Sequence, residues 1–337
     1  MKKLVAFALL FLLLSAAVPF AIQRELGGQW PPLDGRLLSP VALISCLALL
    51  LVYFSADGLR LYYLLRAQGQ RLPARQMARL VFINILFSNL TPMATGGGFA
   101  QIGYLRTQGV HLGAATAATT LRTLLASLMI FLPTPFLLGC MRSLQENPML
   151  AGWSGYLAVF AGLYAGFFLL TLTRPRWLMA IGTAVLRGLR AGGVIGEERL
   201  RHWRFALYRE LLRFAAALGA SFEGPRRDLA LSLLFTLLFL LSLFSFPALL
   251  FWLLGYSVDY LSVVGLMVVT TFAMYFAPTP GAAGMAEGVF ALLFAGVAPA
   301  ADLLLVLIAW RVLTIYLGML IGVPVTLRLL LKRGQKA

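Results

Sequence analysis

Acidic residues are scarce in this chain, with 12 Asp and Glu among 337 residues against 28 Lys and Arg. Charge of both signs makes up only 12% of the composition, while 61% is hydrophobic. That poverty of charge excludes both a disordered polar tail and an ordinary soluble domain. Cysteine is nearly absent. Cys46 and Cys140 lie in apolar runs without CxxC spacing or a neighbouring histidine, so neither a disulfide framework nor a zinc site is expected. His111 and His202 stand alone and suit packing better than metal ligation. P-loop lysine, HExxH and nucleophile elbow are all missing, and Gly96-Gly97-Gly98 lacks the strand–helix setting of a dinucleotide turn. No metal, cofactor or nucleotide-driven pump is expected.

The chain is rich instead in uncharged runs: 4–22, 37–56, 80–105, 123–141, 147–173, 229–258, 260–286 and 312–327. Most reach the roughly 20 apolar residues a helix needs to cross a bilayer. The expected fold is an all-α, polytopic membrane helical bundle. Its basic residues lie between the runs rather than on one soluble face, so positive-inside topology accounts for them and nucleic acid is not an expected partner. The N-terminus, "MKKLVAFALLFLLLSAAVPFAIQ", imitates a secretory signal peptide. Its apolar stretch is longer than a usual signal core and suits a retained first span, cleavage after Ala21 being the alternative.

Basic residues set the expected orientation. Segment 59–79 carries Arg60, Arg66, Arg71, Arg75 and Arg79 without an acid, and 174–227 carries eleven arginines against four glutamates. With both termini and Arg106, these belong on the cytoplasmic side. The run 80–105 then has basic residues at both ends, so both ends belong inside. A re-entrant hairpin turning near Pro92–Gly98 resolves this, because non-helical backbone at membrane depth survives where it is buried or lines a wet cavity.

The same punctuation returns later. Thr91-Pro92 recurs as Thr279-Pro280 and Gly96 as Gly284, at a constant offset, and Arg122 matches Arg311 with a one-residue slip. The chain then divides into two halves of opposite orientation, about six full spans plus two re-entrant hairpins in an inverted repeat, the plan of secondary transporters. The expected organisation is a first half over 1–147 with a cytoplasmic-side hairpin at 80–106. A span at 148–173 opens the second half, a basic interfacial segment follows at 174–227, and 228–337 completes it with an opposite-side hairpin at 260–298. In the basic segment Leu200, Trp203, Leu207, Leu211, Phe214 and Leu218 form an apolar stripe opposed by arginines. It suits an amphipathic helix on an anionic leaflet or a linker helix packed on the bundle.

Charges inside spans each cost on the order of 2.5–3.5 kcal/mol at the bilayer centre, so unpaired ones are rare. Arg122, Arg311 and Glu287 are such charges. Glu287 either pairs with one of the arginines or binds a proton or cationic group while the arginines meet an anion. After each glycine turn a helix restarts, near Thr95–Phe99 and Ala282–Ala286, and its free N–H groups make an anion site. Thr91, Pro92, Thr95, Gly96, Gly97, Gly98 and Gln101 would line the first, and Pro280, Gly281 and Gly284 the second. Asp57 and Arg60 read as one exposed local pair at the end of a span.

At the two hairpins the sequence resembles the membrane domain of the lysylphosphatidylglycerol synthase/flippase family, which includes stand-alone flippase-like proteins. "PTPGAAGMAEG" (278–288) is similar to that family's proline–glycine–glycine–x–glutamate signature. "LTPMATGGGFAQIGYLRTQGVHLGAATAATTLR" (90–122) is similar to its first-half counterpart, where many relatives carry Gly-Glu and this chain has Gly96-Gly97. The resemblance spans about 40–327 and implies movement of a lipid or lipid-linked headgroup between leaflets, with Pro280, Gly281, Gly284, Glu287 and Arg311 as site residues. The chain stops at Ala337, without room for a soluble aminoacyl-transferring domain, so the stand-alone form is expected.

The expected location is the bacterial cytoplasmic membrane, multi-pass, with both termini cytoplasmic by the distribution of basic residues. Expected partners are membrane lipids with an anionic headgroup, a separately encoded lipid-modifying enzyme and a second copy of the chain. A transporter is favoured over an enzyme. The alternative is an integral membrane glycosyl- or lipid-transferase, or its accessory subunit, since some family members are associated with polyprenyl-linked sugar or hopanoid pathways. That alternative needs catalytic carboxylates, for which Asp57, Asp228, Asp259 and Asp302 are available only singly.

Overall fold

Two long apolar helices, α1 (Pro40–Ala67) and α8 (Arg226–Leu253), make the most extensive helix pair of the computed structural model. It describes residues 34–140, 153–173 and 197–334, together with the single residues 20 and 184. The expected first span at 4–22, the loop 142–146 and most of 174–196 lie outside the described residues.

From α1 the chain passes to α2 (Ala74–Leu90), breaks at Thr91, and restarts as α3 (Thr95–Thr107). A long span follows in two pieces, α4 (Leu112–Phe131) and α5 (Pro133–Cys140), divided where Pro133 cannot donate to the preceding turn. Helix α6 (Trp153–Thr173) and the basic helix α7 (Glu197–Glu223) lead to α8. A second helix–break–helix unit consists of α9 (Tyr260–Met274) and α10 (Met285–Leu293). Helix α11 (Ala300–Arg311) then runs through a π-turn, Val312–Tyr316, into α12 (Leu317–Gly334). Among the described residues there is no β-strand, and four helices are long and apolar enough to cross a membrane: Pro40–Ala67, Leu112–Cys140, Arg226–Leu253 and Ala300–Leu329. The chain is therefore an all-α, multi-pass membrane bundle.

Apolar packing concentrates at the two ends of α1. Leu61, Leu64 and Leu65 join residues of α2, α3, α4 and α7 in one core, while Leu50 and Tyr53 join α8, α9, α10 and α11 in the other. Along α1, Tyr53 stacks on Phe239 of α8 with ring centroids 5.1 Å apart, and Tyr63 stacks on Phe235 at 5.5 Å. The long spans dock crosswise: α12 packs on α2 of the first helix–break–helix unit, and α5 packs on α9 of the second. Small residues permit the first contact, because Gly318 faces Ile85 and Gly322 faces the Phe82 carbonyl, where a Cβ would lie only 2.6 Å away. Helix α7 packs against α4 with Phe214 and Leu218 buried, while Phe205, Tyr208 and Leu212 stay exposed. Within its described side chains, that helix is packed on the bundle through Phe214 and Leu218.

Candidate functional site

The break after α2 begins when Thr91 leaves helical geometry, and Pro92 cannot continue a helical hydrogen-bond ladder. Met93 and Ala94 then adopt left-handed backbone, both at φ 53°. The second break repeats this chemistry with Pro280, Gly281 at φ 60° and Ala282 at φ 54°. Left-handed conformations are rare for residues bearing a Cβ, and such strain concentrates at ligand clamps and switch regions. The two prolines lie opposite one another in an isolated antiparallel bridge, so the tips of the two units touch.

Beside this contact lies a cavity of about 510 Å³. Thr95, Gly98, Gln101, Arg122 and Gly281 line it, as do Arg60, Asn84, Ser88, Asn89 and Tyr275. Asn84 and Ser88 stand four apart on α2, which places both on one face. Gly96 and Gly97 serve a different purpose. A Cβ on Gly96 would meet Thr91 Cγ2 at 2.6 Å and the Phe87 carbonyl at 2.9 Å, and one on Gly97 would overlap Ser88 Oγ at 1.8 Å. These glycines let α3 fold back closely on α2.

Much of the amide chemistry expected at the helix starts is satisfied within the chain. Gly96 N–H donates to Thr91 Oγ1 at 2.8 Å, and Thr95 N–H donates to the Pro92 carbonyl at 3.3 Å. In the second unit Gly284 N–H donates to the Glu287 carboxylate at 2.7 Å. Glu287, at the third helical position, thus supplies the anion that the start of α10 favours. Its other oxygen lies 2.8 Å from Arg311 Nε, and both side chains are buried. Arg311 also donates to the Gly281 carbonyl at 2.9 Å, tying the pair to the second break. The pairing of Glu287 is thus with Arg311, and these two residues lie beside the cavity rather than on its wall.

Asp57 and Arg60 correct the sequence reading. They form no exposed local pair, being 3% and 5% exposed at the junction of α1 with α4 and α8. Asp57 Oδ1 accepts from Arg60 Nε at 2.9 Å and from an Arg122 terminal nitrogen at 2.5 Å. The Arg60 guanidinium also sits 3.8 Å from the Phe239 ring centroid, a cation–π contact that fixes its plane. Arg122 donates its other terminal nitrogen to Gln101 Oε1 at 3.0 Å. The buried carboxylate near the first break therefore comes from α1, not from α3, the helix after the break. The remaining aspartates are engaged elsewhere: Asp228 with Arg66 at 3.2 Å, Asp259 capping α9 through Ser262 N–H at 2.8 Å, and Asp302 with the Tyr256 hydroxyl. The Ser262 bond holds the Asp259 carboxyl below its ordinary range.

What was missed has a common cause. Taking the first charge as the end of a span places Asp57 and Arg60 at a surface, whereas α1 continues as helix to Ala67. The three-residue spacing, which puts acid and base on one helical face, was the available signal. In the comparison with known proteins, residues 3–322 match the family model described as "Lysylphosphatidylglycerol synthase TM region". No curated protein matches the chain.

Proposed function

We propose, because the chain belongs to the lysylphosphatidylglycerol synthase transmembrane-region family, that this multi-pass, lipid-related membrane protein is a translocase for phospholipid or lipid-linked headgroups. The carrying observation is the cavity where the two backbone breaks meet, with the guanidinium groups of Arg60 and Arg122 on its wall. Asp57 balances one of these two cations, and an anionic or strongly polar group would balance the other, given the cost of charge within a membrane. A headgroup would enter this cavity while its acyl tails remain in the bilayer. The reading places the protein in the bacterial cytoplasmic membrane with cytoplasmic termini, and treats the two helix–break–helix units as re-entrant hairpins of an inverted repeat. The crossed docking of α12 on α2 and of α5 on α9, related by exchange of the halves, supports that symmetry.

Two measurements test the proposal. Cysteines introduced at Arg75 and Thr107, exposed near the two ends of the first unit, are expected to be labelled from the same side of the membrane, and labelling from opposite sides would remove the re-entrant geometry. In vesicles carrying the purified protein, Arg122→Gln is expected to slow exposure of a labelled anionic headgroup by about a hundredfold, as expected when a charge-assisted contact is lost and Asp57 is left partly unpaired. Transport at the wild-type rate would rule out the cavity as the path. The transferase reading needs convergent carboxylates, and the described aspartates are each held by a different structural partner.

A further inference from the structure

A second hollow, an apolar cleft of about 530 Å³, lies between α1 and α2 and shares no wall residue with the central cavity. Phe54, Gly58 and Tyr62 recur four apart on α1, and Ala74, Ala78 and Phe82 recur four apart on α2, so each helix contributes one face. The two helices meet at Gly58, where an added Cβ would lie 3.3 Å from Val81 Cγ2. Leu47 and Leu51 stand on that same face of α1 and are exposed, so they continue the cleft onto the outside of the bundle. In a spanning helix, the medium against such a face is lipid.

The rim of the cleft is basic and unbalanced. Helix α1 has 28 residues, more than the roughly 20 that cross the apolar core, which sets the loop after Ala67 at headgroup level. Arg71 adjoins the wall residue Leu72, and Arg75 precedes the wall residue Ala78 by one turn; both arginines are exposed. Neither side chain has an ion-pair partner among the described residues. Arg66, from the same basic segment, is instead taken by Asp228 at 3.2 Å. The sequence has no acid between Asp57 and Glu146, and α2 begins with neither an acid in its first turn nor a side-chain cap. Its positive dipole end therefore adds to the two free cations.

A groove near the other end of α1 provides the contrast. It measures about 580 Å³ between α1 and α8, and Trp252 and Tyr260 stand exposed on its wall. Arg36, which donates to the Leu254 carbonyl at that end, is already paired with Asp34 at 2.6 Å. Aromatic rings alone suit any headgroup level, whereas unpaired arginines beside an apolar cleft ask for a chain that carries an anion.

We infer that the α1–α2 cleft is a fixed site for an anionic phospholipid of the surrounding leaflet, one acyl chain lying in the cleft and its phosphate meeting Arg71 and Arg75. Basic pockets between membrane helices recur as sites for such lipids. The lipid here is a resident of the fold rather than a cargo. Phe82 lines the cleft while its carbonyl faces Gly322 of α12, so the lipid and α12 grip the same helix.

The test maps where a lipid chain lies. The full chain in neutral detergent is given phosphatidylglycerol or phosphatidylcholine bearing the same diazirine-labelled acyl chain, and cross-linked peptides are identified by mass spectrometry. In the wild type, adducts on Leu59, Met77 and Ala78 are expected to be about tenfold more frequent with phosphatidylglycerol. Adducts on Leu43 and Leu261, exposed elsewhere, should not distinguish the two lipids. Arg71→Gln combined with Arg75→Gln is expected to bring the cleft adducts to parity. Ala78→Phe, which fills the cleft and keeps both arginines, is expected to remove the cleft adducts of both lipids. Equal labelling of the cleft by the two lipids in the wild type, or an undiminished preference in the double variant, overturns the proposal. The wild-type comparison decides by itself where a variant fails to fold. Transport is not read, so loss of the translocation reading leaves this site standing, and loss of this site leaves translocation standing.

Discussion

Glu287→Ala is expected to be the most destabilising single substitution in the stretch from α9 to α12. It removes the carboxylate 2.8 Å from Arg311 and the acceptor of Gly284 N–H, both in side chains at most 2% exposed. Breaking a buried ion pair by deleting one partner typically costs about 3–5 kcal/mol, most of it from the charge left behind. Arg311 would keep its bond to the Gly281 carbonyl, which cannot neutralise a guanidinium. The melting temperature in detergent should fall sharply. The double variant Glu287→Ala, Arg311→Met should recover much of the loss, because an apolar replacement of a buried pair is often close to neutral. Glu287→Gln should lie between the two, since its amide oxygen still accepts from Gly284 or Arg311. A Glu287→Ala protein as stable as wild type would mean the pair is open to water. If the double variant also transports at the wild-type rate, a proton-coupling role for Glu287 is excluded.

Gly113→Leu is expected to lift the basic helix α7 away from α4. A Cβ on Gly113 would fall 2.4 Å from Arg213 Cβ and 2.8 Å from both Arg213 C and Phe214 N. Backbone atoms of a helix cannot swing aside as a side-chain tip can, so one of the two helices must move. Overpacking of this kind costs about 1–3 kcal/mol where the surroundings are rigid. Displacing α7 uncovers Phe214 and Leu218, now 6% and 2% exposed. The arginines of α7 then become better trypsin sites, and limited proteolysis should cut the helix several-fold faster in Gly113→Leu, with a smaller rise in Gly113→Ala. Equal cleavage rates in all three proteins would show that α7 is not seated through this contact.

How much of this was legible before the structure differs from feature to feature. Proline and glycine inside uncharged runs located both backbone breaks, and at the second Gly281 and Gly284 take the positive φ that glycine tolerates, whereas at the first that conformation falls on Met93 and Ala94. Arg122 and Arg311 stood out because a cation in an apolar span needs a reason to be there. Their partners were not legible. Arg122 and Asp57 are 65 residues apart, and their contact depends on how α1 crosses α4. The use of the amides was hidden as well. Thr91 and Glu287 turn their own oxygens onto helix-start N–H groups, a local bond that composition and spacing leave open. Glycines expected to give a ligand access to backbone, Gly96 and Gly97, instead admit α3 to the surface of α2.

The crosswise seating of the two long spans bears on how such a molecule can move. Helix α2 carries α12 and helix α9 carries α5, each broken unit holding the tail of a long span from the other end of the chain, so these parts dovetail rather than abut. Sliding one away from the other as a solid block would unseat both tails at once. The irregular points are the interruption at Leu132–Pro133 and the π-turn at Val312–Tyr316, each lying where one of those long spans passes into its tail. Flexing there would open a gap on one side without undoing the interlock.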